Sequence, residues 1–334
     1  MWDFFIKINK QLVIAIPIMM AAGFLFGLVN DPALIKQLKQ LIMPLTFLMV
    51  YPMMVTLNVK HLHEGMKNVC LQLLTQFINF AIIPFLAYGL GLYFFKDQPY
   101  MALGLLLASL LPTSGMTISW TGFARGNMGA AINMTVIGLT LGSLATPFYV
   151  QALMGAKVDV NIILVIKQIL YIVFVPMLLG YITRTALLRK YSMVVFKKEI
   201  APRFPAMSTL GVLGIVFVAL ALKARAIAAD PGLLAAIFVP LFIIYIFNFS
   251  LGTVLARMFF QRGDGISLVY GTVMRNLSIA LAISINAFGA EGANAALVIA
   301  ISYIIQVQSA AWYVKLTDLL FGPLPEKYGE EAIA

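Results

Sequence analysis

Apolar runs of about twenty residues recur along this chain from end to end, at 11–29, 40–57, 69–95, 100–124, 128–154, 162–183, 204–222, 232–260, 265–289 and 293–317. A helix of about 20 apolar residues matches the hydrocarbon thickness of a bilayer. In lipid every backbone polar group needs a partner within the protein, so only helices and closed barrels span. These runs are continuous, without the alternation of a barrel strand. The chain therefore reads as an all-α polytopic membrane protein with ten transmembrane helices. Only 11% of residues are charged and 62% are hydrophobic, where soluble domains carry about 25% charged residues. No cleavable signal peptide is evident, because Lys7 and Lys10 lead into a full-length span. The single cysteine, Cys70, excludes an internal disulfide and a cysteine-based metal cluster.

A net charge of +10 would suggest nucleic acid in a soluble protein. Here it is unevenly divided between the two sides of the membrane. The side of the N-terminus carries Lys7, Lys10, Lys60, Lys67, Arg125, Arg184, Arg189, Lys190, Lys197, Lys198, Arg203, Arg257, Arg262, Lys315 and Lys327. The other side carries only Lys36, Lys39, Lys96, Lys157, Lys223 and Arg225. The positive-inside rule places both termini in the cytoplasm of a multi-pass protein of the plasma (cell inner) membrane. The charge is a topology signal, and no nucleic-acid partner is expected.

One stretch departs from smooth helix. In LPTSGMTISWTGFARGN, 111–127, Pro112 removes a backbone donor and Gly115 lowers the cost of unwinding. Thr113, Ser114, Thr117, Ser119 and Thr121 add hydroxyls around them. Broken membrane helices persist only where the freed backbone is buried in protein or lines a cavity, and in transporters such breaks form the binding site. The alternative is a proline kink whose hydroxyls bond back to the i−4 carbonyls.

All thirteen acids map to loops or span ends, and both histidines, His61 and His63, lie between spans two and three. The spans thus lack the carboxylate pair, metal cluster or base–nucleophile pair of an intramembrane enzyme, and no cofactor is called for. Arg275, in GTVMRNLSIA, is the exception to an uncharged interior. At mid-bilayer an arginine costs ~2.5–3.5 kcal/mol, so it should face inward with a partner. Asn276 and Ser278 follow it, and Gly271 and Thr272 precede it, so this span too is a candidate for a break. Arg275 then either anchors an anion or caps carbonyls at that break. Lys167 lies near a span end and reads as a snorkelling anchor.

The halves resemble each other. Lys10-Gln11 precedes Gly23 by the same interval as Lys167-Gln168 precedes Gly180, with Pro17 and Pro176 inside the runs. GNMGAA at 126–131 corresponds to GANAA at 292–296. Five spans per half make the repeat an inverted 5+5 one: 1–155, then 156–320, then a short cytoplasmic tail, 321–334, with helices 4 and 9 broken and crossing.

The central stretch, with LMVYPMMVTL (48–57), KNVCLQLLTQFINFAIIPFLAYGLGLYFF (67–95), VPMLLGYITR (175–184) and LSIALAISINAFG (277–289), resembles the superfamily of bile acid:sodium symporters and arsenite-efflux permeases. The Tyr51-Pro52-Met53 run and the Pro112, Met116, Trp120, Gly126 pattern are similar to the permeases, and Ala124-Arg125-Gly126-Asn127 to the symporters. The resemblance implies ten helices in an inverted repeat, with crossing breaks in helices 4 and 9. It also exposes departures. The permeases' Pro-Cys-Thr cysteine is matched by Thr113, and their Glu-Val-Pro run by Gln306-Val307-Gln308. The symporters' Ser-Asn pair falls on Thr117-Ile118, and their Glu-Val-Gly-Met-Gln-Asn run on Gly271 to Asn276, with Arg275 in place of the glutamine. A guanidinium repels a sodium ion by about 4 kcal/mol at about 4 Å and an effective dielectric of about 20. These replacements argue against sodium coupling and against thiol-based arsenite capture.

The sequence thus points to a secondary transporter of a small, preferentially anionic solute, working in a lipid bilayer. Thr113, Ser114, Thr117, Arg275 and Asn276 are the candidate binding residues, with Pro112, Gly115 and Gly271 at the breaks. Gln76, Asn79, Asn133, Thr135, Gln306 and Gln308 are second-rank candidates for solute or ion; each also suits a plain helix–helix hydrogen bond. Arsenite or related oxyanion efflux, and a non-transporting receptor on the same scaffold, are the alternatives. A homodimer is compatible with the sequence.

Overall fold

The computed structural model describes residues 11–56, 68–158, 160–229, 231–289 and 291–323. His61, His63 and most of the tail lie outside these described residues. The described chain is helical almost throughout, with α1 Leu12–Val29, α2 Pro32–Gln37, α3 Ile42–Thr56, α4 Val69–Phe94, α5 Pro99–Leu110, α6 Gly115–Phe123 and α7 Met128–Met154 in its first half. The second half contains α8 Ile162–Lys190, α9 Arg203–Ala229, α10 Gly232–Phe259, α11 Arg262–Val273, α12 Leu277–Ala287 and α13 Gly292–Phe321. Six helical segments are long and apolar enough to cross a membrane, and α1, α3, α5 and α12 are shorter apolar helices. The protein is an α-helical integral membrane protein.

Both α4 and α8 contain one π turn, at Ile78–Ile82 and Leu170–Phe174, each followed by a proline, Pro84 and Pro176. The proline cannot donate to the preceding turn, and the wider turn re-routes the hydrogen-bond ladder past it.

The helices form two groups. In the first, α9 packs along α1 and α3, and α8 packs on α3. In the second, α5 lies between α4 and α13, α11 packs on α10 and α7, and α12 packs on α13. Close backbone approach holds the first group together. A Cβ at Gly23 of α1 would stand 2.4 Å from the Phe217 carbonyl oxygen of α9. One at Gly180 of α8 would stand 2.7 Å from the Met54 carbonyl carbon of α3. In lipid, helix association rests on such van der Waals contact, because lipid tails are as apolar as leucine.

At one end of the second group, polar groups tie its helices together. Asp264, in the first turn of α11, accepts from Asn127 Nδ2 at 2.7 Å and from Asn68 Nδ2 at 2.8 Å. Asn68 and Asn127 also cap α4 and α7, so one carboxylate joins three helix starts. Its negative charge also sits favourably at the N-terminal end of the α11 dipole.

Because backbone atoms cannot move aside, Gly23→Ala and Gly180→Ala are each expected to cost about 1–3 kcal/mol. Gly89, with nothing within 4 Å of an added Cβ, is the control. Thermal unfolding in detergent should show a lowered midpoint for the first two variants and an unchanged or higher one for Gly89→Ala.

Candidate functional site

Two interruptions in the helices meet inside the second group. Pro112 disfavours helical geometry at the residue before it, and Leu111 is accordingly at φ −104°, ψ 81°, just past the end of α5. Thr113 follows with φ +63°, a left-handed conformation that is costly for a β-branched side chain. Its hydroxyl donates to the Pro112 carbonyl at 2.6 Å, with the Met134 and Thr135 carbonyls of α7 at 3.3 Å. Ser114 then caps α6: its side chain accepts from Met116 N, and its own N–H donates to Thr117 Oγ1 at 3.1 Å. This is an interrupted helix rather than a proline kink. Of the hydroxyls in the stretch, Ser119 makes the i−4 bond back to Gly115 O.

The second interruption contains no proline. Met274 leaves α11 in an extended conformation, and Asn276 caps α12 with its side chain accepting from Ile279 N at 3.2 Å. The two interruptions pair as a minimal antiparallel ribbon. Thr113 N–H donates to Met274 O and Asn276 N–H donates to Leu111 O, both at 2.8 Å, with Pro112 opposite Arg275. Each break supplies the partners that the other lacks.

The remaining freed groups are met by side chains. Asn79 of α4 donates to Gly271 O at 3.0 Å, and Asn248 of α10 to Thr272 O at 2.7 Å. Gln306 of α13 serves Arg275 twice: its Oε1 accepts from Arg275 N–H at 2.8 Å and its Nε2 donates to Arg275 O at 3.2 Å. Tyr245 Oη donates to the same Oε1 at 3.1 Å and lies 3.0 Å from Ser302 Oγ. The Arg275 side chain is 4% exposed. Its Nη1 donates to Ser109 O at the end of α5, at 3.2 Å, while Nη2 is buried without a partner. Among the described residues this guanidinium therefore bonds a carbonyl and not a carboxylate. Asn276 Nδ2 is likewise buried and unpartnered.

Of the predicted residues, Pro112, Thr113, Ser114, Thr117, Arg275 and Asn276 are brought together here, with Asn79 and Gln306 supporting them. Thr135 Oγ1 bonds Ala131 O at 2.8 Å and reaches Ser114 O at 3.5 Å. Gln76 and Asn133 have both amide atoms buried and unpartnered, with no hydrogen bond to the breaks among the described residues, and Gln308 is half-buried two residues beyond Gln306. Gly115 and Gly271 fall inside α6 and α11 rather than in the breaks. The left-handed residue at the first break is Thr113, with Arg125 the other in the stretch, and Gly271 serves packing, since a Cβ there would lie 2.5 Å from Met134 Sδ.

Sequence reading missed Ser109, Tyr245, Asn248 and Ser302. Asn248 was findable as a lone amide in an apolar run, one helical turn after Tyr245. A cavity of about 300 Å³ lies further along α12, between it and α3, α9 and α13, lined by Ile42, Ala219, Leu222, Ile285, Asn286 and Ala293 among others.

An all-helical membrane protein with paired helix breaks around a buried polar centre has the form of a transporter. Residues 43–230 match the model of the Sodium Bile acid symporter family, and the chain belongs to that family of membrane transporters. It is 23% identical over 235 residues to the uncharacterized protein YbaS of Bacillus subtilis, covering 70% of this chain and 75% of that one. It is also similar to the arsenical-resistance proteins Acr3 of Corynebacterium glutamicum (22% identical; 65% of this chain, 62% of the relative) and Alkaliphilus metalliredigens (26%; 62% and 61%). The aligned parts span less than two thirds of those two resistance proteins.

An orphaned buried carbonyl costs about 1–3 kcal/mol. Asn248→Leu, which strands Thr272 O, and Gln306→Leu, which strands both peptide groups of Arg275, are expected to lose at least that much stability. Denaturant or thermal unfolding of the purified variants would read it, and the larger loss is expected for Gln306→Leu.

Proposed function

We propose that the chain is a secondary transporter that moves a small anionic solute through the site where the two helix breaks meet. One observation carries this reading: the Arg275 guanidinium is buried with Nη2 unpartnered and, among the described residues, no carboxylate as a hydrogen-bond partner. A buried charge without compensation is expensive, and inside a membrane protein it marks a ligand or ion pathway. The adjacent starts of α6 and α12 add the positive ends of two helix dipoles. Thr113, Ser114, Thr117 and Asn276 supply neutral hydrogen-bonding groups around it, Thr135 reaches Ser114 O, and Gln76 and Asn133 are second-rank candidates.

The ten-span, inverted 5+5 architecture, with repeats at 1–155 and 156–320 and crossing helices 4 and 9, belongs to this proposal. In it, α5–α6 and α11–α12 each count as one broken span, joining α1, α3 and the six longer helices. It is supported by equivalent packing in the two halves: Gly23 meets α9 as Gly180 meets α3, and α5 lies against α4 as α11 lies against α10. The similarity to two arsenical-resistance proteins favours a second reading, export of arsenite or a related oxyanion. Thiol capture has no support at this site, because the sole cysteine, Cys70, is exposed near the start of α4.

Transport in proteoliposomes against a panel of organic anions and oxyanions would test the reading. Since a fixed cation occupies the centre, replacing potassium by sodium at constant membrane potential should leave the rate unchanged; a steep, saturable sodium dependence would refute uncoupled binding. Charge-assisted hydrogen bonds contribute ~1.5–3 kcal/mol, roughly ten- to more than hundredfold in affinity. Arg275→Gln should lose that much solute binding while Arg275→Lys retains part of it. If Arg275→Gln instead lowers the melting temperature and leaves affinity intact, Arg275 is a helix cap and not an anion anchor.

A further inference from the structure

We propose that the connection between α8 and α9 is a docking surface for anionic lipid headgroups of the leaflet on the side of the N-terminus. The stretch 184–203, RTALLRKYSMVVFKKEIAPR, carries Arg184, Arg189, Lys190, Lys197, Lys198 and Arg203 against a single acid, Glu199. It is a built element and not a loose tail. A short helical segment spans 193–200, started by Ser192, whose hydroxyl accepts from Val195 N. Phe196 on its inner face is 2% exposed, and the Arg184 guanidinium stacks over its ring at 5.1 Å while Nη1 reaches the Thr56 carbonyl at 3.3 Å. Arg184 thus pins the segment to the ends of α8 and α3, and Arg189, Lys190 and Lys198 are exposed.

The outer face mixes charge with apolar surface in a way that water alone does not explain. Tyr191 is 37%, Met193 45% and Val194 62% exposed, directly beside exposed Arg189, Lys190 and Lys198. Lys190 Nζ lies over the Tyr191 ring at 5.6 Å. This face continues the exposed apolar surface of α8, Leu178, Tyr181 and Ile182, which faces lipid in a membrane-spanning helix. The segment therefore sits where acyl chains end and headgroups begin. There Met193 and Val194 can enter the boundary while the basic side chains reach phosphate. A soluble acidic partner would match the charges and leave the continuous apolar surface unexplained, so an anionic lipid is the occupant that fits both.

A basic residue near an anionic membrane surface contributes about fivefold in binding, so three together contribute about a hundredfold. The test uses the full purified chain in a neutral detergent, titrated with short-chain phosphatidylglycerol, phosphatidylcholine of the same chain length, or glycerol phosphate. Thermal stabilisation reads the binding. Wild type should be stabilised by phosphatidylglycerol at much lower concentration than by phosphatidylcholine, and glycerol phosphate should have little effect. The triple variant Arg189→Gln, Lys190→Gln, Lys198→Gln should need about a hundredfold more phosphatidylglycerol. A control variant on the other side, Lys36→Gln with Lys96→Gln, should behave as wild type. Met193→Ser with Val194→Ser should weaken both lipids, because it removes the apolar contact. Each titration is referred to the lipid-free midpoint of the same variant, so a general loss of stability does not imitate lost binding. Equal responses to the two lipids, protection by glycerol phosphate as strong as by phosphatidylglycerol, or an undiminished response of the triple variant would overturn the proposal.

Discussion

Two backbone hydrogen bonds, Thr113 N–H to Met274 O and Asn276 N–H to Leu111 O, make the rest of this structure possible. A single interrupted helix in an apolar interior would leave donors and acceptors stranded, each costing several kcal/mol where water is absent. Two interruptions placed antiparallel satisfy each other with the geometry of a two-residue sheet. Each break depends on the other for one of these two bonds, which fixes α5–α6 and α11–α12 at one relative position where they meet. That requirement accounts for the dense packing of α5 between α4 and α13 and of α11 on α10 and α7.

The ribbon does not satisfy everything, and the pattern of what remains is informative. The carbonyls at the end of α11 are met by amides from two different helices, Asn79 and Asn248, and the Arg275 peptide is met by Gln306. Such uncharged amides close a break without adding charge to a dry interior. Arg275, the charge buried at the breaks, donates one nitrogen to Ser109 O, and another has no partner among the described residues. Capping and solute binding are thus not exclusive roles for this residue. The same guanidinium can close α5 and present an unpaired donor beside Asn276.

The helix groups are assembled by a different means. Around the breaks polar bonds set the geometry; between α1, α3, α8 and α9, glycine contacts with neighbouring backbone are joined by a few hydrogen bonds, Tyr51 to Thr183, Ser208 to the Met49 carbonyl and Arg184 to the Thr56 carbonyl. Among the described residues, the amides that close freed backbone groups, Asn79, Asn248 and Gln306, lie in the group carrying Arg275.

By itself the sequence determined the helical membrane class, the position of the first break and the isolation of Arg275. Those features are local: apolar run length, a proline that cannot donate, and an ionisable group among residues that cannot ionise. Only the tertiary structure decided that the second break falls at Met274–Asn276, since no residue there forbids helix and the reason lies in the partner strand at 111–113. It likewise moved Gly115 and Gly271 into helices and gave the left-handed position to Thr113, because strain at that residue is repaid by contacts with α7 far along the chain. Asn248 and Tyr245 entered the site for the same reason. A side chain becomes a cap only when folding brings an orphaned backbone group within about 3 Å of it, and that proximity is written in no stretch of sequence short enough to read.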